Sequence, residues 1–218
     1  MKGPSPLSRR AFFGAMGAGC LLASEGASRA QRGRLDDWLA RVARARAPVR
    51  TMKGPFIQTR TIGLLSTDVR SHGSLALLRP DRLRWRLDPP DAITFWVGPL
   101  GLAYQSARGQ GRLPAGTARI AAALQDLRAL LGGDLAELLQ RWQVNLLRDD
   151  PSGAELEVIA RAAVPESTRV MRLTLAPDLV RPVRALLEEG PRDRTVIEFG
   201  EIVVNAPLDA AAMRPPSP

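Results

Sequence analysis

A strictly alternating run from Arg82 to Asp88 constrains the fold of this chain more than any other feature of its sequence. Two sets of side chains alternate along the run, the apolar Leu83, Trp85 and Leu87 and the charged Arg82, Arg84, Arg86 and Asp88. Successive side chains of a β-strand point to opposite faces, so this run predicts a strand with one apolar face and one wet, charged face. The apolar face needs a cover.

The segment just before this run predicts a second strand that ends near an unusual arginine. Leu75 and Leu77 share a parity that continues to Arg79. If the strand persists to its end, the Arg79 guanidinium points to the apolar side, where it must find hydrogen-bond acceptors. Pro80 supplies no donor and marks the strand end. The alternative, that Arg79 is the first residue of a solvated turn, stays open on parity alone.

Composition narrows the class of function. The 218-residue chain carries a formal charge of +9, yet its arginines alternate with apolar residues or face nearby acids, so we expect no nucleic-acid partner. His72 is the only histidine and Cys20 the only cysteine. This inventory leaves only one candidate base for a histidine-based triad and no thiolate metal site, so we expect no enzyme activity, no catalytic residue, no metal and no cofactor.

The first 30 residues have the features of an export signal, which leaves residues 31–218 as a single domain. Arg9 and Arg10 precede two phenylalanines and a short apolar run, a pattern typical of a twin-arginine signal. We therefore expect export to the periplasm. In the alternative interpretation, Cys20 belongs to a lipobox and is acylated, which would anchor the protein to a membrane.

Three segments have helical periodicity. Residues 35–43 predict an amphipathic helix with acids in its first turn, ended by Pro48. A second apolar stripe comprises Ile120, Leu124, Leu127 and Leu131. Asp134, with Glu137 three residues later, predicts the cap of a third helix whose apolar face includes Leu135, Leu138 and Leu139 and extends to Trp142.

The rest of the chain predicts strands. Residues 107–116 predict a polar, glycine-rich loop, and strands resume after the third helix. In the last long strand Ile197 and Phe199 have one parity and Ile202 the other, which predicts a β-bulge at Gly200–Glu201. Short connections favour antiparallel pairing. The predicted fold is mainly β, an unclosed and highly curved antiparallel barrel with a lid of about three helices over an apolar cavity.

Several segments of the chain resemble the LolA family of outer-membrane lipoprotein carriers. They are Phe56-x-Gln58, Gly73-x-Leu75, the run from Arg79-Pro80 to Trp85, Leu131–Leu135, and the stretch from Thr195 through Asn205 to Pro216. The resemblance implies a soluble periplasmic carrier, which we expect to be a monomer. It would receive acylated lipoproteins or other lipid cargo from an inner-membrane releasing transporter and pass them to an outer-membrane acceptor.

The resemblance also assigns roles to residues. Arg79 matches the family's arginine that latches the lid to the barrel, in agreement with its parity. Ten residues are predicted to line the acyl-binding cavity: Phe56, Leu75, Leu77, Leu83, Trp85, Leu87, Leu124, Leu127, Ile197 and Phe199. Two alternatives of the same fold stay open, a membrane-anchored lipoprotein acceptor and a regulatory module that senses lipidated proteins.

Overall fold

The computed structural model describes residues 19–63, 67–99, 101–114, 119–132, 139–140, 142–161, 170–188, 190 and 192–216. The chain forms two compact units, Met1–Asp37 and Trp38–Pro218. The described part of the first unit is helical. The predicted twin-arginine signal, Arg9 and Arg10, lies outside the described residues, and so does the side chain of Cys20.

Two long helices and a series of strands make up the described chain. The helices are α1 (Gly19–Arg46) and α2 (Arg119–Gly132). The strands before α2 are β1 (Thr51–Ile62), β2 (Thr67–Leu78), β3 (Arg82–Leu87), β4 (Ile93–Gly98), β5 (Gly101–Ser106) and β6 (Gly109–Pro114). The strands after α2 are β7 (Trp142–Asp150), β8 (Gly153–Ala160), β9 (Val170–Leu175), β10 (Pro182–Glu188), β11 (Arg194–Phe199) and β12 (Val203–Val204).

All of these strands belong to one antiparallel sheet. Its order is β6-β5-β4-β3-β2-β1-β11-β10-β9-β8-β7, and β12 pairs with β1. Each half is a meander of neighbouring strands, and the two halves join where Gln58 of β1 opposes Ile197 of β11. Strands β6 and β7 form the two edges, so the predicted mainly β, unclosed antiparallel barrel is confirmed.

An aromatic cluster occupies the inner face of the sheet where the halves meet. The rings of Phe56 and Trp85 stack with centroids 3.7 Å apart, and Phe199 meets Trp85 edge-on at 6.5 Å. Gly73 makes room for this stack, because a Cβ at that position would lie 2.7 Å from the Phe56 ring and 2.1 Å from the Arg86 carbonyl oxygen. Offset aromatic pairs of this kind add roughly 0.5–1.5 kcal/mol beyond their buried area.

The prediction for the first helix is right in its C-terminal half and wrong about its start. Helix α1 begins at Gly19, so its first turn holds no acid, while Arg44 and Arg46 lie in its last turn as expected. Trp38 and Val42 are fully buried. The apolar periodicity marked the packed part of the helix, whereas the residues before it extend the same helix without an apolar stripe.

Two predictions between the halves are wrong. The predicted loop at residues 107–116 contains strand β6, because backbone pairing with β5 compensates for its weak side-chain pattern. Trp142 begins strand β7 instead of ending a helix, although it is buried as expected. Leu139 and Gln140 are helical, and residues 134–138 of the predicted third helix lie outside the described residues.

The predicted bulge near the C-terminus is a break between two strands. Strand β11 ends at Phe199, the Gly200 amide donates to the Pro55 carbonyl at 2.9 Å, and the chain rejoins β1 as β12. The change of parity is real, since Ile202 is 3% exposed. At Gly200 the chain leaves the pairing with β1, and it pairs with β1 again only at Val203.

Candidate ligand-binding site

A small cavity lies between helix α2 and the inner face of the sheet. Its volume is about 70 Å³. A water molecule occupies about 30 Å³ in the liquid, so this cavity holds roughly two waters. Its apolar lining comprises Trp85, Leu87, Phe95, Ile120, Ala123, Leu124, Leu127, Leu187 and Ile197.

Half of the predicted lining residues lie at this cavity, namely Trp85, Leu87, Leu124, Leu127 and Ile197. The structure puts the other half elsewhere in the core or at its edge. Leu75, Leu77 and Leu83 are each at most 2% exposed, and Phe56 lies behind Trp85 in the aromatic stack. Phe199 lines a separate groove beside Ile202. Acyl binding by any of the ten stays a prediction.

One side of the cavity is polar. Gln58, Arg60 and Thr195 are the other described residues of its lining, and Arg60 opposes Thr195 directly in the β1–β11 pairing. Gln58 and Arg60 follow Phe56 at intervals of two, so strand parity directs them to the same inner face. The cavity therefore offers an apolar wall and, beside it, hydrogen-bonding groups.

Arg79 joins the C-terminal ends of both helices to the sheet. Its Nε donates to the Gly132 carbonyl at 3.0 Å, and its Nη1 donates to the carbonyls of Arg46 and, at 3.3 Å, Val49. Strand β2 ends at Leu78, one residue earlier, and the Arg79–Pro80 peptide bond is cis. Carbonyls at the C-terminus of a helix lack partners within the helix and carry its negative dipole, so a guanidinium suits this position.

Arg46 is a second arginine at the same place, and it is 4% exposed. Its Nη1 donates to the Leu130 carbonyl of α2 at 2.8 Å, and its Nε reaches the Leu179 carbonyl at 3.4 Å. The pKa of Arg46 is lowered to about 10, chiefly because burial disfavours its charged form, with the Arg79 charge adding to the lowering and Asp178 opposing it. Two guanidinium groups therefore donate to different carbonyls near the C-terminal end of α2, Arg46 to Leu130 and Arg79 to Gly132.

Two more side chains tie α2 to turns of the sheet. Gln125 Nε2 donates to the Gly98 carbonyl at 2.7 Å and to the Gly101 carbonyl at 3.2 Å, both at the β4–β5 hairpin. Arg128 Nη1 donates to the Asp81 carbonyl at 3.3 Å, in the β2–β3 turn. All of these contacts have backbone carbonyls as acceptors, so they do not depend on the side chain of the accepting residue.

Sequence reasoning missed Arg46, although a signal was present. Arg46 follows the buried Trp38 and Val42 at intervals of four, so helical periodicity assigns it to the same face. Gln125 and Arg128 carried no such signal, because their partners are backbone carbonyls of distant turns. His72, by contrast, lies exposed within β2 opposite Ile57, as an ordinary strand residue.

The described residues yield two further findings. Their helices include none that is both long and apolar enough to cross a membrane. Among the same residues, no three His, Cys, Asp or Glu side chains lie close enough together to bind a metal ion.

Comparisons with known proteins agree with this geometry. A family model described as "Outer membrane lipoprotein carrier protein LolA" matches residues 47–95, which include Arg79 and the stacked aromatic pair. Two curated proteins from strains of Coxiella burnetii, each called outer-membrane lipoprotein carrier protein, are 23% identical over 172 residues that cover 74% of each chain.

Solved structures of other proteins also align with this chain. An uncharacterised conserved protein from Thermus thermophilus aligns with a TM-score of 0.50 at 10% identity, over 84% of this chain and 94% of its own, and so has a similar fold. A LolA superfamily protein from Nitrosomonas europaea aligns with a TM-score of 0.45 at 9% identity, over 82% of this chain and 96% of its own. The family match, the curated relatives and the fold together confirm the resemblance of this chain to the LolA outer-membrane lipoprotein carriers.

Proposed function

We propose that this protein is a periplasmic carrier that binds the acyl chains of lipoproteins, or of a dedicated lipidated cargo, and moves them from the inner to the outer membrane. One observation carries the proposal: an apolar cavity of about 70 Å³ lies under a helix whose end is held by hydrogen bonds to backbone carbonyls. A site of this kind can enlarge without breaking any covalent or metal bond.

The cavity lining fits the chemistry of an acylated terminus. Trp85, Leu124 and Leu127 supply apolar surface, and Gln58 and Arg60 lie beside them. Burial of acyl methylene groups is favourable by about 0.8 kcal/mol each. The carbonyl that links an acyl chain to its carrier needs a donor once it leaves water, and the polar side of the cavity offers one.

Loading requires movement of α2, because a long acyl chain needs several times the volume present. The proposed movement breaks the contacts of Arg79 with the Gly132 and Arg46 carbonyls and thereby separates the helix ends from the barrel. Each charge-assisted hydrogen bond contributes roughly 1.5–3 kcal/mol, which is comparable with the gain from burying a few methylene groups. Cargo can therefore displace this latch, and the latch can re-form and help to expel the cargo.

The experiment is a two-stage assay of Arg79→Leu, in which loading from inner-membrane vesicles and delivery to an outer-membrane acceptor are scored separately. We expect the variant to accept cargo and to deliver it poorly, because leucine cannot re-form the closed contacts and adds apolar surface that retains the acyl chain. Arg79→Lys should be intermediate, since it has the charge without the planar fork.

The matched control is Arg70→Leu, an exposed arginine of the same strand β2. It should load and deliver as the wild type does. Equal delivery by Arg79→Leu and the wild type would show that Arg79 only ends a strand, and failure of both variants to load would point away from an acyl cavity altogether.

Periplasmic location is part of the proposal and rests on the twin-arginine pattern. Replacing Arg9 and Arg10 together by lysine should leave the precursor in the cytoplasm, as measured by fractionation and immunoblotting. Normal export of this double variant would assign the protein to the general secretion route. The mass of the mature N-terminus separates the soluble form from one acylated at Cys20.

A further inference from the structure

The outer face of β3–β6 carries an unbalanced set of arginines. Across neighbouring strands, Arg84 opposes Trp96, and Trp96 opposes Ala103, which opposes Arg112. Arg82 and Arg86 lie on the same face, because they share the parity of Arg84. We call the outer surface formed by Arg82, Arg84, Arg86, Trp96 and Arg112 the arginine face.

The outer face of the other half of the sheet differs in its charge balance. There Arg172 forms an ion pair with Glu157 at 2.9 Å, and glutamates 155, 188 and 198 accompany arginines 184 and 194 on the strands. On the arginine face, by contrast, the acidic neighbour of Arg86 is Asp88, 3.4 Å from its Nε, and both side chains are about half exposed. Among the described strand residues, excess positive charge thus lies on the β3–β6 half of the outer face.

The C-terminal segment 211–216 lies over the arginine face. Trp96 Nε1 donates to the Ala212 carbonyl at 3.0 Å, and Arg84 Nη1 reaches the same oxygen at 3.5 Å. Met213 is 4% exposed. The segment is therefore packed against the strands, and Arg214 lies beside the arginines of β3 in the lining of one cavity.

That cavity has a volume of about 380 Å³ and three arginines in its lining, Arg84, Arg86 and Arg214, together with Thr94 and Gln105. Among the described residues of its lining there is no carboxylate. Arg84 Nε is buried and has no hydrogen-bond partner within the part of the chain that the structure describes. A buried guanidinium nitrogen without an acceptor is costly, and an anion in the cavity would remove that cost.

An apolar groove continues from this cavity. It has a volume of about 580 Å³ and shares Trp96 and Arg214 with the cavity. Leu102, Leu113 and Met213 contribute to its apolar lining. A cationic cavity and an apolar groove that share two residues match a ligand with an anionic group at one end and a hydrocarbon chain at the other.

We propose that the arginine face, with the C-terminal segment, is a second binding site, specific for an anionic amphiphile that bears a phosphate group. The phosphate occupies the cavity between Arg84, Arg86 and Arg214, where planar guanidinium groups donate pairs of hydrogen bonds to its oxygens. Thr94 and Gln105 complete the set of donors, and the hydrocarbon part lies in the groove beside Met213. The phosphate cavity is on the opposite face of the sheet from the cavity under α2, and the groove reaches inner-face residues such as Leu102 beside the β4–β5 hairpin. The site therefore adds a lipid contact that the carrier function does not require.

Isothermal titration calorimetry of the purified full-length protein tests the proposal, with dihexanoyl phosphatidic acid as the probe below its micelle concentration. The test variant is Arg84→Gln combined with Arg214→Gln, and the control is Arg184→Gln, an exposed arginine on the outer face of β10. We expect the double variant to weaken binding by at least about tenfold, the effect of losing roughly 1.4 kcal/mol of charge-assisted hydrogen bonding. The control should change the affinity by less than about twofold.

Two further probes identify the ligand class. Dihexanoyl phosphatidylcholine, which has no net charge, should bind more weakly than phosphatidic acid, and inorganic phosphate should compete only at higher concentration because it leaves the groove empty. Equal affinity for inorganic phosphate and the lipid would contradict the proposal that the ligand is an amphiphile and would assign the site to a soluble phosphate. Equal lipid binding by the double variant and the wild type, or no detectable binding, would overturn the site itself.

Folding is controlled separately. The single variants Arg86→Gln and Arg214→Gln change exposed side chains and should fold normally, so they report on the site if Arg84→Gln does not fold. A fluorescent hydrophobic probe of the cavity under α2 should bind all variants equally. A parallel loss of both kinds of binding would show general damage to the protein and would contradict two independent sites.

Discussion

The two ends of helix α2 are held in different ways. Four side chains tie its C-terminal part, from Gln125 onward, to the rest of the protein. Arg46 and Arg79 donate to carbonyls of α2, and Gln125 and Arg128 of α2 donate to carbonyls of turns of the sheet. Its N-terminal half covers the small cavity with apolar side chains, and Ile120 there is 41% exposed. One helix thus combines a polar attachment with an apolar cover.

The difference shows how a lid can be both specific and movable. Hydrogen bonds to carbonyls have a defined geometry, so they set one closed position for the helix. Apolar contacts are non-directional, and they can be exchanged for contacts with a hydrocarbon ligand at little cost. Substitutions at the two ends should therefore have different consequences, the polar end changing stability and the apolar end changing affinity.

The largest effect is expected for Arg46→Met. Methionine fills a similar volume but leaves the Leu130 and Leu179 carbonyls without their donor, and each buried orphan group costs about 1–3 kcal/mol. Relief of the repulsion from Arg79 and of the burial of a charge offsets part of this loss. We expect a net destabilisation of about 2 kcal/mol in urea unfolding.

The control for Arg46 is Arg44→Met, an exposed arginine of the same helix turn, which should stay within about 0.5 kcal/mol of the wild type. If Arg46→Met is neutral or stabilising, burial and repulsion outweigh the hydrogen bonds of Arg46. The polar end would then depend on Arg79, Gln125 and Arg128.

A smaller effect is expected for Gln125→Leu. Its amide donates to two carbonyls of the β4–β5 hairpin, so the substitution should lower the free energy of unfolding by about 1 kcal/mol. Hydrogen exchange should also become faster in α2 around Gln125. Gln143→Leu, at an exposed position of β7, is the matched control, and an equal effect of both would exclude a specific role for Gln125.

At the apolar end, Ile120→Ala should change stability by less than about 1 kcal/mol, because the side chain is already 41% exposed. It should nevertheless weaken the binding of a fluorescent acyl probe several-fold, since Ile120 lines the cavity. Val203→Ala, at a residue that is 44% exposed, should leave probe binding unchanged. Unaltered binding by Ile120→Ala would mean that the probe does not enter beneath this end of α2.

The smallest effect concerns pH. Burial lowers the pKa of Arg46 to about 10 in the folded protein, so the penalty for holding it charged is fully present well below pH 10. The penalty is relieved only as the pH rises through and above that value. The stability difference between the wild type and Arg46→Met should therefore be constant between about pH 6 and pH 9. A slope in this range would assign the interaction to another titrating group.

Alternation along the strands made much of this architecture predictable. The parity of Leu83 and Trp85 identified the inner face, and the parity of Arg79 directed its guanidinium toward that side. Periodicity in α2 identified Leu124 and Leu127 as buried, although Ile120 of the same stripe lies at the exposed end. These features depend on neighbours within one element, and the sequence contains that information directly.

Tertiary structure decided the rest, for a common physical reason. The partners of Arg46, Arg79 and Gln125 are backbone carbonyls. Every residue has a backbone carbonyl whatever its side chain, so no sequence pattern marks which carbonyl is used. Likewise β6 forms because β5 presents a strand edge to it, and Arg84 is half-buried because segment 211–216 crosses it. The sequence by itself determined which face each side chain occupies, whereas contacts between distant segments decided what each face meets.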